Sequence, residues 1–576
     1  MKNVKNLFGM AVMATALVGC SSNDNLNPNA NDNAGKTGEA YASFKINLPT
    51  TSGTRAPEGS EGIKDGTPSF NGGTAAEYAV NDATLLVFQK DGDDYKYIET
   101  VDLGSMVPWT KQDPTTNSGI TTTATVTAKL TNAAVGESGN YYALILLNNN
   151  VDATKKKVTL PTATTDTYAN WSKDVSKANA DNYLKHDNGF FMANAPKYVA
   201  GGEPETLVKI DKIYASKQQA EISAATTVYV ERGLAKVTMK NFTTTGYDIA
   251  DGTYKEANVK INSWQLDVTN KSTFPVHQTA GLNTSWTGIW ANTRFYDGST
   301  TSAFKRVYWG TDPNYNTGLS TVSDCEAAFN MITKDKVKGE AGETHPQYCL
   351  ENTFDLNNMK QGQTTRVVFK AVFTPKGFTG TEKTFYKIGN NTALWKEADL
   401  ETQIKAKAQE VLKESDASKV TVTLNAPTNN LTEAGVHLVA AANVTHVGAT
   451  TALTEDQVKA INTKLGLKEK TAKEERVGIS TYYNGEAYYI ARIKHFNELT
   501  PWNAGEAYGT DNGKYLGRYG VLRNNWYELS VNKVTGLGYP DVPQVKPTDP
   551  DDENEQYINV EVKILDWAKR SQSIDL

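Results

Sequence analysis

The sequence predicts an all-β fold of two sandwich domains, with short helical insertions in the second domain and a separate strand at the carboxyl terminus. Apolar and polar residues alternate along many short runs, which is the pattern of strands with one buried face. Clusters of Gly, Asn, Asp and Thr separate these runs, as turns between strands do. At 576 residues, the chain is long enough for two or three domains with filled cores.

Composition and motifs argue against several classes of function. The chain carries 59 Lys and Arg against 65 Asp and Glu, for a formal net charge of -6, and it has no basic tract. Nucleic acid is therefore not expected as a partner. The sequence also lacks a G-x-S-x-G elbow, an H-E-x-x-H helix, a Gly-rich phosphate loop and a C-x-x-C pair. We therefore expect no enzymatic activity, no cofactor and no metal site.

The amino terminus has the features of a bacterial lipoprotein signal at residues 1–19. Lys2 and Lys5 precede an apolar run that is too short to span a membrane, and this run ends in the motif LVGC. The motif predicts that Cys20 is acylated and becomes the first residue of the exported protein. The alternative is an ordinary secretory signal in which a cysteine stands at this place by chance.

Residues 20–55 are predicted to be a lipidated propeptide with a removable first strand. In the strand AYASFKINL, residues 40–48, Phe44, Ile46 and Leu48 share one face with the two outer alanines. The strand ends at a proline, and a loop rich in Gly, Ser and Thr follows, with Arg55 as its first basic residue and Ala56 next. An arginine in such a loop is a candidate site for proteolysis.

The first domain is predicted at residues 56–245. Its clearest strands lie at 83–90, 121–130, 141–149 and 226–242. The segment YYALILLNN at 141–149 is apolar almost throughout, so we expect a central strand buried on both faces. The turn-rich residues 243–256 interrupt the strand pattern and indicate the domain boundary.

The second domain is predicted at residues 246–538. Strands are expected at 257–270, 364–375 and 524–538, and a hairpin at 479–496 with Asn484 and Gly485 at its turn. Two helices interrupt the strands. The first has an apolar stripe and the second begins with a capping box and ends at a glycine. The residues of these features are Leu400, Ile404, Ala408 and Val411 for the first stripe, Thr454 and Gln457 for the box, Val458, Ile461 and Leu465 for the second stripe, and Gly466.

A cluster of aromatic residues in the second domain has two interpretations. It consists of Trp286, Trp290, Phe295, Tyr296 and Trp309. Such residues can form a sugar-binding surface, or they can fill the core of a β-domain. We favour the core interpretation.

Three smaller features have a structural and a functional interpretation. The acidic residues of 91–94 resemble a calcium loop only loosely, because the bidentate Glu is absent, and a hairpin turn is the preferred interpretation. His495 lies in an apolar run, where a packed residue is favoured over a catalytic base. Cys325 and Cys349 form a disulfide in an oxidising compartment or remain separate buried thiols, and both alternatives stay open.

The carboxyl terminus, residues 557–576, contains an alternating strand after an acidic, proline-rich tether at 539–556. Four branched residues share one face of this strand, and the two apolar residues after them break the alternation, which predicts a bulge. The face consists of Ile558, Val560, Val562 and Ile564, and the apolar residues after it are Leu565 and Trp567. The strand either folds back into its own domain or pairs with another molecule.

The two terminal strands suggest one mechanism. A cut after Arg55 would allow the first strand to leave, and its domain would then expose an apolar groove with unpaired backbone groups. The last strand of a neighbouring copy could fill this groove by β-augmentation. Because such a contact joins two different surfaces, it would propagate into a filament.

In these features the chain resembles the Bacteroidales fimbrillins, and among them the shaft subunits of the short fimbriae of Porphyromonas. The matching segments occur in the family's order along the chain. They are LVGC at 17–20, TRA at 54–56, GFFMANA at 189–195, VERGLAKV at 230–237, GVLRNNWYELSVNKVTGLG at 520–538, the tether, and VEVKILDW at 560–567.

The resemblance implies two transthyretin-like β-sandwich domains and a defined processing route. The precursor would reach the outer membrane through its lipid, and an Arg-specific protease would cut between Arg55 and Ala56. The displaced strand would carry Phe44, Ile46 and Leu48. The donor strand would be Ile558 to Trp567, inserted into the next subunit.

The resemblance also implies partners and a location. The partners would be identical subunits, the fimbrial anchor and tip subunits, the protease and the outer membrane. The location would be a fimbrium on the cell surface, with a role in adhesion and biofilm formation. The alternatives are a tip or anchor subunit, and a surface glycan-binding lipoprotein.

Overall fold

The structure is a computed structural model, and the residues that it describes lie within Glu39–Leu576. The described residues are 39–49, 74–104, 110–111, 120–136, 139–285, 289–291, 295–296, 304–378, 383–424, 436–469, 471, 477–495, 515–551 and 558–565.

Nine of the described strands form one sheet in the first half of the chain, which we call the amino-terminal sheet. They are β1 (Ala40–Pro49), β2 (Ala83–Asp91), β3 (Asp94–Gly104), β4 (Thr110–Lys111), β5 (Ile120–Leu130), β6 (Tyr141–Leu147), β7 (Met192–Asn194), β8 (Val208–Lys209) and β9 (Thr226–Arg232). The order is β3-β2-β6-β7-β9-β1-β5-β4, with β8 paired to β6.

The amino-terminal sheet curls so that β3 approaches β5. Glu99 of β3 accepts backbone N–H groups from Thr131 and Asn132, directly after β5, at 2.9 and 3.0 Å. The sheet thereby encloses an apolar core on its inner face. A second core covers part of its outer face.

Four short helices accompany the amino-terminal sheet. They are α1 (Ala75–Tyr78), α2 (Tyr168–Lys173), α3 (Ala180–Tyr183) and α4 (Lys217–Ile222). The strand β6 lies between the two cores, because Ile145 faces one core and Leu144 and Leu146 face the other. The prediction of a central strand buried on both faces is therefore confirmed.

The chain changes sheets at Gly233. The sequence predicts one strand-forming run over 226–242, but β9 ends at Arg232 and β10 (Leu234–Met239) begins in a different sheet. A Cβ atom at Gly233 would lie 2.1 Å from the hydroxyl oxygen of Tyr183, so a side chain at this turn would force the buried Tyr183 to move. The domain boundary at 245 stays a prediction, but the change of sheet precedes it.

The remaining strands belong to the second half of the chain. They are β11 (Tyr247–Asp248), β12 (Asn258–Asp267), β13 (Thr269–Asn270), β14 (Phe329–Asn330), β15 (Gln347–Leu350), β16 (Arg366–Thr374), β17 (Phe385–Ile388), β18 (Leu394–Trp395), β19 (Val420–Val422), β20 (Val436–His437), β21 (Val444–His446), β22 (Ile479–Tyr482), β23 (Glu486–Arg492), β24 (Trp526–Val534) and β25 (Ile558–Leu565).

Two four-stranded sheets of the second half face each other across one core. Their orders are β15-β10-β24-β25 and β11-β12-β16-β23. The residues between them include Val237 of β10, Trp264 of β12, Phe369 of β16 and Tyr527 of β24, all with no exposed surface. We call this pair of sheets the carboxy-terminal sandwich. A third four-stranded sheet, β18-β17-β22-β20, and the pairs β13-β14 and β19-β21 complete the described strands.

The helices of the second half are α5 (Leu282–Ser285), α6 (Val322–Ala328), α7 (Glu397–Leu412) and α8 (Glu455–Lys464). In α7, Leu400, Ile404 and Ala408 are buried against the third sheet, as their spacing predicts. In α8, the capping box of Thr454 and Gln457 is formed. No helix within the described ranges is long and apolar enough to cross a membrane.

The predicted hairpin at 479–496 is wrong. Asn484 and Gly485 do adopt positive φ angles of 52° and 77°, as in a tight turn. However, β22 pairs with β17 and β20, whereas β23 pairs with β16. The turn therefore carries the chain from the third sheet to the sandwich. A Cβ atom at Gly485 would lie 2.7 Å from the carbonyl oxygen of Phe373, so the glycine permits this close crossing.

Candidate functional site

The first strand, β1, lies inside the amino-terminal sheet and not at its edge. It pairs with β5 in antiparallel fashion along its whole length, from Ala40 opposite Leu130 to Pro49 opposite Ile120. On its other side it pairs with β9 in parallel, over residues 44–47. We call the space that β1 fills between β5 and β9 the first-strand slot.

The inner face of β1 belongs to the core. Its five inward side chains have at most 1% of their surface exposed: Ala40, Ala42, Phe44, Ile46 and Leu48. The same core contains Leu85 of β2, Ile145 of β6 and Val228 of β9. The predicted inward positions are therefore confirmed, while the displacement of the strand stays a prediction.

The outer face of β1 is partly covered. The Ser43 hydroxyl donates to the carbonyl oxygen of Ala220 in α4 at 2.8 Å and lies 2.6 Å from the Thr127 hydroxyl. The Asn47 side chain accepts a hydrogen bond from the Thr123 hydroxyl at 2.9 Å. Ser43 and Asn47 are buried, at 6% and 1% exposure, whereas Lys45 between them is exposed.

Loss of β1 would leave an unstable surface. Burial of a Phe, Ile or Leu side chain stabilises a fold by about 1.5–3 kcal/mol, so the three large residues of β1 contribute on the order of 5–9 kcal/mol before entropy is counted. Both β5 and β9 would also lose their backbone partners along the slot. Such an open, apolar position in a sheet binds another strand readily.

The chain is held firmly where the structure describes it again after β1. Glu77 in α1 is buried, and its carboxylate lies 2.6 Å from the ammonium of Lys236 in β10. The same carboxylate accepts from the Tyr348 hydroxyl at 2.9 Å and from the Thr74 backbone N–H at 2.8 Å. The backbone carbonyl oxygen of Glu77 accepts a hydrogen bond from Arg232 Nε at 2.9 Å. We call these contacts the Glu77 anchor.

Burial of Glu77 alone would raise its pKa. The lysine and the hydrogen-bond donors outweigh this effect, and the pKa lies below the ordinary glutamate value. The carboxylate is therefore charged in the folded chain. Because its contacts are made with β10, β15 and the end of β9, none of them depends on β1.

A second group of buried charges joins the two halves of the chain. Glu231 of β9 lies 2.6 Å from His277 and 2.6 Å from Arg306. Arg523 lies 3.0 Å from Glu351, and its backbone carbonyl accepts from Arg306. We call these five residues the buried charge cluster. Burial opposes the ionisation of Glu231, but Arg306 and His277 outweigh it and hold the pKa at about 2.

The last strand, β25, lies at the edge of the carboxy-terminal sandwich. It pairs in antiparallel fashion with β24 of its own chain, from Leu565 opposite Trp526 to Ile558 opposite Val534. In the isolated chain the strand is therefore folded back, which is one of the two alternatives left by the sequence. The predicted bulge at Leu565 and Trp567 stays a prediction, because Trp567 lies outside the described residues. Within the described pairing, the irregularity falls between Val531 and Lys533 of β24, where one extra residue is accommodated.

Several predicted site residues lie outside the described part of the chain. They are Cys20, Arg55, Ala56 and Trp567. Their roles in lipidation, cleavage and strand donation stay predictions. The donor role of Ile558, Val560, Val562, Ile564 and Leu565 also stays a prediction, although the structure places their backbone in β25.

The aromatic cluster forms a core. Trp290, Phe295, Tyr296 and Trp309 have at most 8% of their surface exposed and pack together with Phe354 and other apolar residues. Trp286 lies outside the described residues. For the four described residues the core interpretation is confirmed, because rings this deeply buried cannot stack on a sugar.

The smaller candidate sites also have structural roles. Residues 91–94 form a hairpin turn between β2 and β3, in which Asp91 pairs with Asp94 and two residues connect them. This is the preferred interpretation of the acidic segment. His495 is buried, and its Nδ1 atom lies 2.7 Å from the Tyr527 hydroxyl, so it is a packed residue. Among the described residues, no group of His, Cys, Asp and Glu is arranged to bind a metal ion.

The two cysteines are free thiols in this structure, so the disulfide is not formed. Both are buried, at 0% and 2% exposure for Cys325 and Cys349. Burial raises the pKa of Cys325 to about 11 and that of Cys349 to about 12. Such thiols are protonated at neutral pH and react slowly.

Sequence reasoning missed the Glu77 anchor and the buried charge cluster. Two of the motifs contain their residues: VERGLAKV contains Glu231, Arg232 and Lys236, and GVLRNNW contains Arg523. Charged residues inside otherwise apolar strands were the available signal. Each of them is buried against a partner that is distant in the sequence.

The solved structures that are similar to this chain include three fimbrial proteins. Among solved structures, a fimbrilin, FimA, of Porphyromonas gingivalis is 13% identical, over 92% of this chain and 99% of that chain, with a TM-score of 0.34. The tip fimbrial protein Mfa3 of the same species is 10% identical, over 92% of this chain and 100% of that chain, with a TM-score of 0.27. A fimbrial assembly protein of Parabacteroides distasonis is 13% identical, over 57% of this chain and 94% of that chain, with a TM-score of 0.21.

The comparison of sequences concerns the end of the chain. No curated protein matches the sequence. The sequence model described as major fimbrial subunit protein type IV, fimbrillin, C-terminal, matches residues 480–573. This segment extends from β22 to beyond β25. The part of the chain that contains the last strand is therefore similar to the carboxy-terminal region of fimbrillins.

Proposed function

We propose that the chain is the shaft subunit of a surface fimbria and that it polymerises by strand exchange between copies. In this proposal the precursor is exported as a lipoprotein through Cys20 and cut between Arg55 and Ala56. The first strand then leaves, and the last strand of a neighbouring subunit enters the first-strand slot. The protein has a structural role and no catalytic one.

The observation that carries the proposal is the position of β1 inside its sheet. A strand with five fully buried inward residues and partners on both sides is normally permanent. Here the chain connection between β1 and α1 runs through residues 50–73, which include Arg55. A cut in this connection would turn a permanent strand into a separate peptide.

The Glu77 anchor supports the same proposal. After a cut, the new amino-terminal segment would have to stay in place while β1 leaves. The ion pair of Glu77 with Lys236 and the hydrogen bonds around it hold α1 against the second half of the chain without any contribution from β1. Only the residues before the cut would therefore be released.

The match of residues 480–573 to the fimbrillin carboxy-terminal region supports the identity of the incoming strand. Among the described strands, β25 is an edge strand that pairs on one side only, so its departure would break one ladder. The predicted tether at 539–556 is corrected in its first part, because residues 539–551 pack against the body of the chain: Tyr539 pairs with Tyr488, and Asp551 is buried at 1% exposure. The reach of a crossing strand would therefore come from residues 552–557, which can span roughly 18 Å at about 3 Å per residue.

The choice of a shaft subunit rests on the presence of both strands. A subunit in the interior of a filament must accept one strand and donate another, and this chain has a removable first strand and a tethered last strand. The alternative of a surface glycan-binding protein has lost its support, since the described residues of the aromatic cluster are buried.

Expression of the precursor in a host with an Arg-specific surface protease tests the proposal. We expect wild-type protein to begin at Ala56 and to form a ladder of oligomers in SDS without boiling. Arg55→Ala should stay a lipidated monomer, and deletion of 557–576 should give a processed monomer without a ladder. Lys64→Ala, in the same segment of the sequence, is the matched control and should behave as wild type. A ladder that persists after the deletion would contradict strand exchange.

A further inference from the structure

The first-strand slot restricts the direction of the strand that replaces β1. The slot offers an antiparallel partner over the full length of β5 and a parallel partner over only four residues of β9. A strand that runs in the direction of β1 keeps the longer ladder antiparallel, which is the more stable arrangement per residue. The reverse direction would make the longer ladder parallel.

The slot also restricts the side chains at each position. Positions 40, 42, 44, 46 and 48 open into the apolar core, with position 40 at the end of the slot. Position 43 lies under α4, where the Ala220 carbonyl requires a hydrogen-bond donor. Position 45 faces solvent, whereas position 47 is buried beside the Thr123 hydroxyl. The replacing strand therefore needs apolar residues at positions 42 to 48 of the inner face, a small polar residue that can donate at position 43, any polar residue at position 45, and a residue at position 47 that can bond to Thr123.

Two registers place all four branched residues of the last strand at inward positions of the slot, with Ile558 at position 40 or at position 42. If Ile558 takes position 40, Glu561 falls at position 43 against a carbonyl oxygen, and Asp566 falls in the core at position 48. If Ile558 takes position 44, Ile564 passes beyond the slot and Gln556 enters the core at position 42. The first register buries two carboxylates without a suitable partner, which is strongly unfavourable in a protein interior, and the second loses a branched residue from the core.

The register in between satisfies the slot. We infer that Ile558 takes the position of Ala42, and that Asn559 takes the position of Ser43. Val560, Val562 and Ile564 then follow at the inward positions 44, 46 and 48, and Glu561 lies at the exposed position 45. Gln556, which is uncharged, falls at position 40, the end of the slot. This inference rests on the proposed function and assigns the pairing within it.

Asn559 is the specificity-determining residue in this register. Its amide N–H can donate to the Ala220 carbonyl, and its amide oxygen can accept from the Thr127 hydroxyl, so both partners of Ser43 are satisfied. Neither the glutamate nor the lysine on the same face of the last strand could do both. Lys563 takes the buried position of Asn47, where the Thr123 hydroxyl can accept from its ammonium. Because Thr123 is partly exposed, the long lysine side chain can place its charge at the solvent boundary while its stem stays buried.

Cysteine pairs in the assembled filament test the register. Because Lys45 lies opposite Thr125 and Ser43 opposite Thr127, the inference places Glu561 opposite Thr125 and Asn559 opposite Thr127 of the next subunit. Directly opposite residues have Cα atoms about 4.5–5.5 Å apart, whereas diagonal neighbours are about 7–8 Å apart. A disulfide forms only below about 7 Å.

We expect the double variant Thr125→Cys, Glu561→Cys to give covalent oligomers after mild oxidation, visible after boiling without reductant and lost with reductant. The matched control Thr125→Cys, Lys563→Cys should stay at the level of the single variants. Thr127→Cys with Asn559→Cys is a second pair for the same register. The native thiols are buried and should not compete.

Each other outcome would overturn the register. Linking of Lys563 to Thr125 would place Ile558 at position 40. A ladder without any of these links would place the strand in another register, direction or site. Links within single subunits would mean that the strand fills its own slot. Absence of a ladder in wild-type protein would instead contradict the proposed function, before any pair is tested.

Discussion

The first and last strands of this chain are similar in length and alternation but differ in how the fold holds them. β1 has a strand on each side and its inward residues lie in a closed core. β25 has one neighbour among the described strands and lies at the end of its sheet. The first strand is therefore required by its sheet, whereas the last strand completes an edge.

This difference explains how the two could exchange roles. Removal of an edge strand costs one ladder, and the remaining sheet stays intact. Removal of an interior strand leaves two edges and an open core, which gives a strong drive to bind a replacement. A strand whose loss leaves its own sheet intact is a suitable donor for the first-strand slot, where an empty position exposes the core.

Deletion of either strand from the precursor should show this difference between the two strands most clearly. Without residues 40–49, the amino-terminal sheet should lose its cooperative unfolding, since the lost burial of on the order of 5–9 kcal/mol matches the whole stability of a typical domain. Without residues 557–576, cooperative unfolding should persist. Near-UV circular dichroism during a thermal scan measures both.

A peptide with the sequence of residues 557–567 is the complement to these deletions. Added to the chain without β1, it should restore cooperative unfolding, and a peptide with Val562→Asp should not. Equal stability of the two deletion variants would contradict the distinction between the strands.

Loss of the Glu77 anchor should have the next largest effect. Lys236→Met leaves the Glu77 carboxylate buried without its cation, and the removal of one partner of a buried pair typically costs about 3–5 kcal/mol. Urea denaturation of the precursor measures this loss. Lys96→Met is the control, because its pair with Asp91 is exposed and surface pairs contribute at most about 1 kcal/mol. Equal midpoints for the two variants would show that the anchor does not stabilise the chain.

The sequence predicts the strands well where their own residues determine burial. The alternation of Ala40 to Leu48 predicts the inward face of β1, and the apolar run 141–149 predicts a strand with two buried faces. The stripes of α7 and the capping box of α8 are also local signals. In each case the pattern lies within one element, so no knowledge of its neighbours is needed.

The pairing of strands could not be predicted in the same way. Nothing near Ser43 indicates that Thr127 and Ala220 surround it, because both are distant in the sequence. Asn484 and Gly485 form a tight turn as expected, but the strands on either side pair elsewhere. Lys236 looks like a solvent-exposed position in a strand, and its burial depends on Glu77 across the fold.

The buried charge cluster should make the stability of the joined halves depend on pH. The pKa of Glu231 is about 2 in the folded chain, below the ordinary value of 4.5, so its contribution is present above pH 4.5 and lost as the pH falls towards 2. At 1.4 kcal/mol per pH unit, the difference between these two pKa values corresponds to about 3 kcal/mol in the free energy of unfolding. Glu231→Gln should be less stable at pH 7 and should lose less stability between pH 4.5 and 2.5.

Chemical denaturation at the two pH values measures the effect. The appropriate control is Asp152→Asn, which alters an exposed carboxylate whose pKa is also about 2 but which only organises a surface turn. If the free energy of unfolding of the wild type and of Glu231→Gln depends on pH in the same way, the buried charge cluster is not the cause of the pH dependence.

The substitution with the smallest expected effect should distinguish the two strands that occupy the first-strand slot, β1 in the precursor and the last strand of a neighbour in the filament. Ser43→Ala leaves the Ala220 carbonyl without its donor in the precursor, and an unsatisfied buried acceptor costs about 1–3 kcal/mol. Lys45→Ala, at the exposed neighbouring position, should cost little. In the processed filament, however, residues 43 and 45 have left with the first strand, so both variants should give ladders with the same resistance to heating as wild type. A ladder weakened by Ser43→Ala would mean that the first strand remains in the assembled subunit, and the contrast between a strand that is removed and a strand that is donated would then fail.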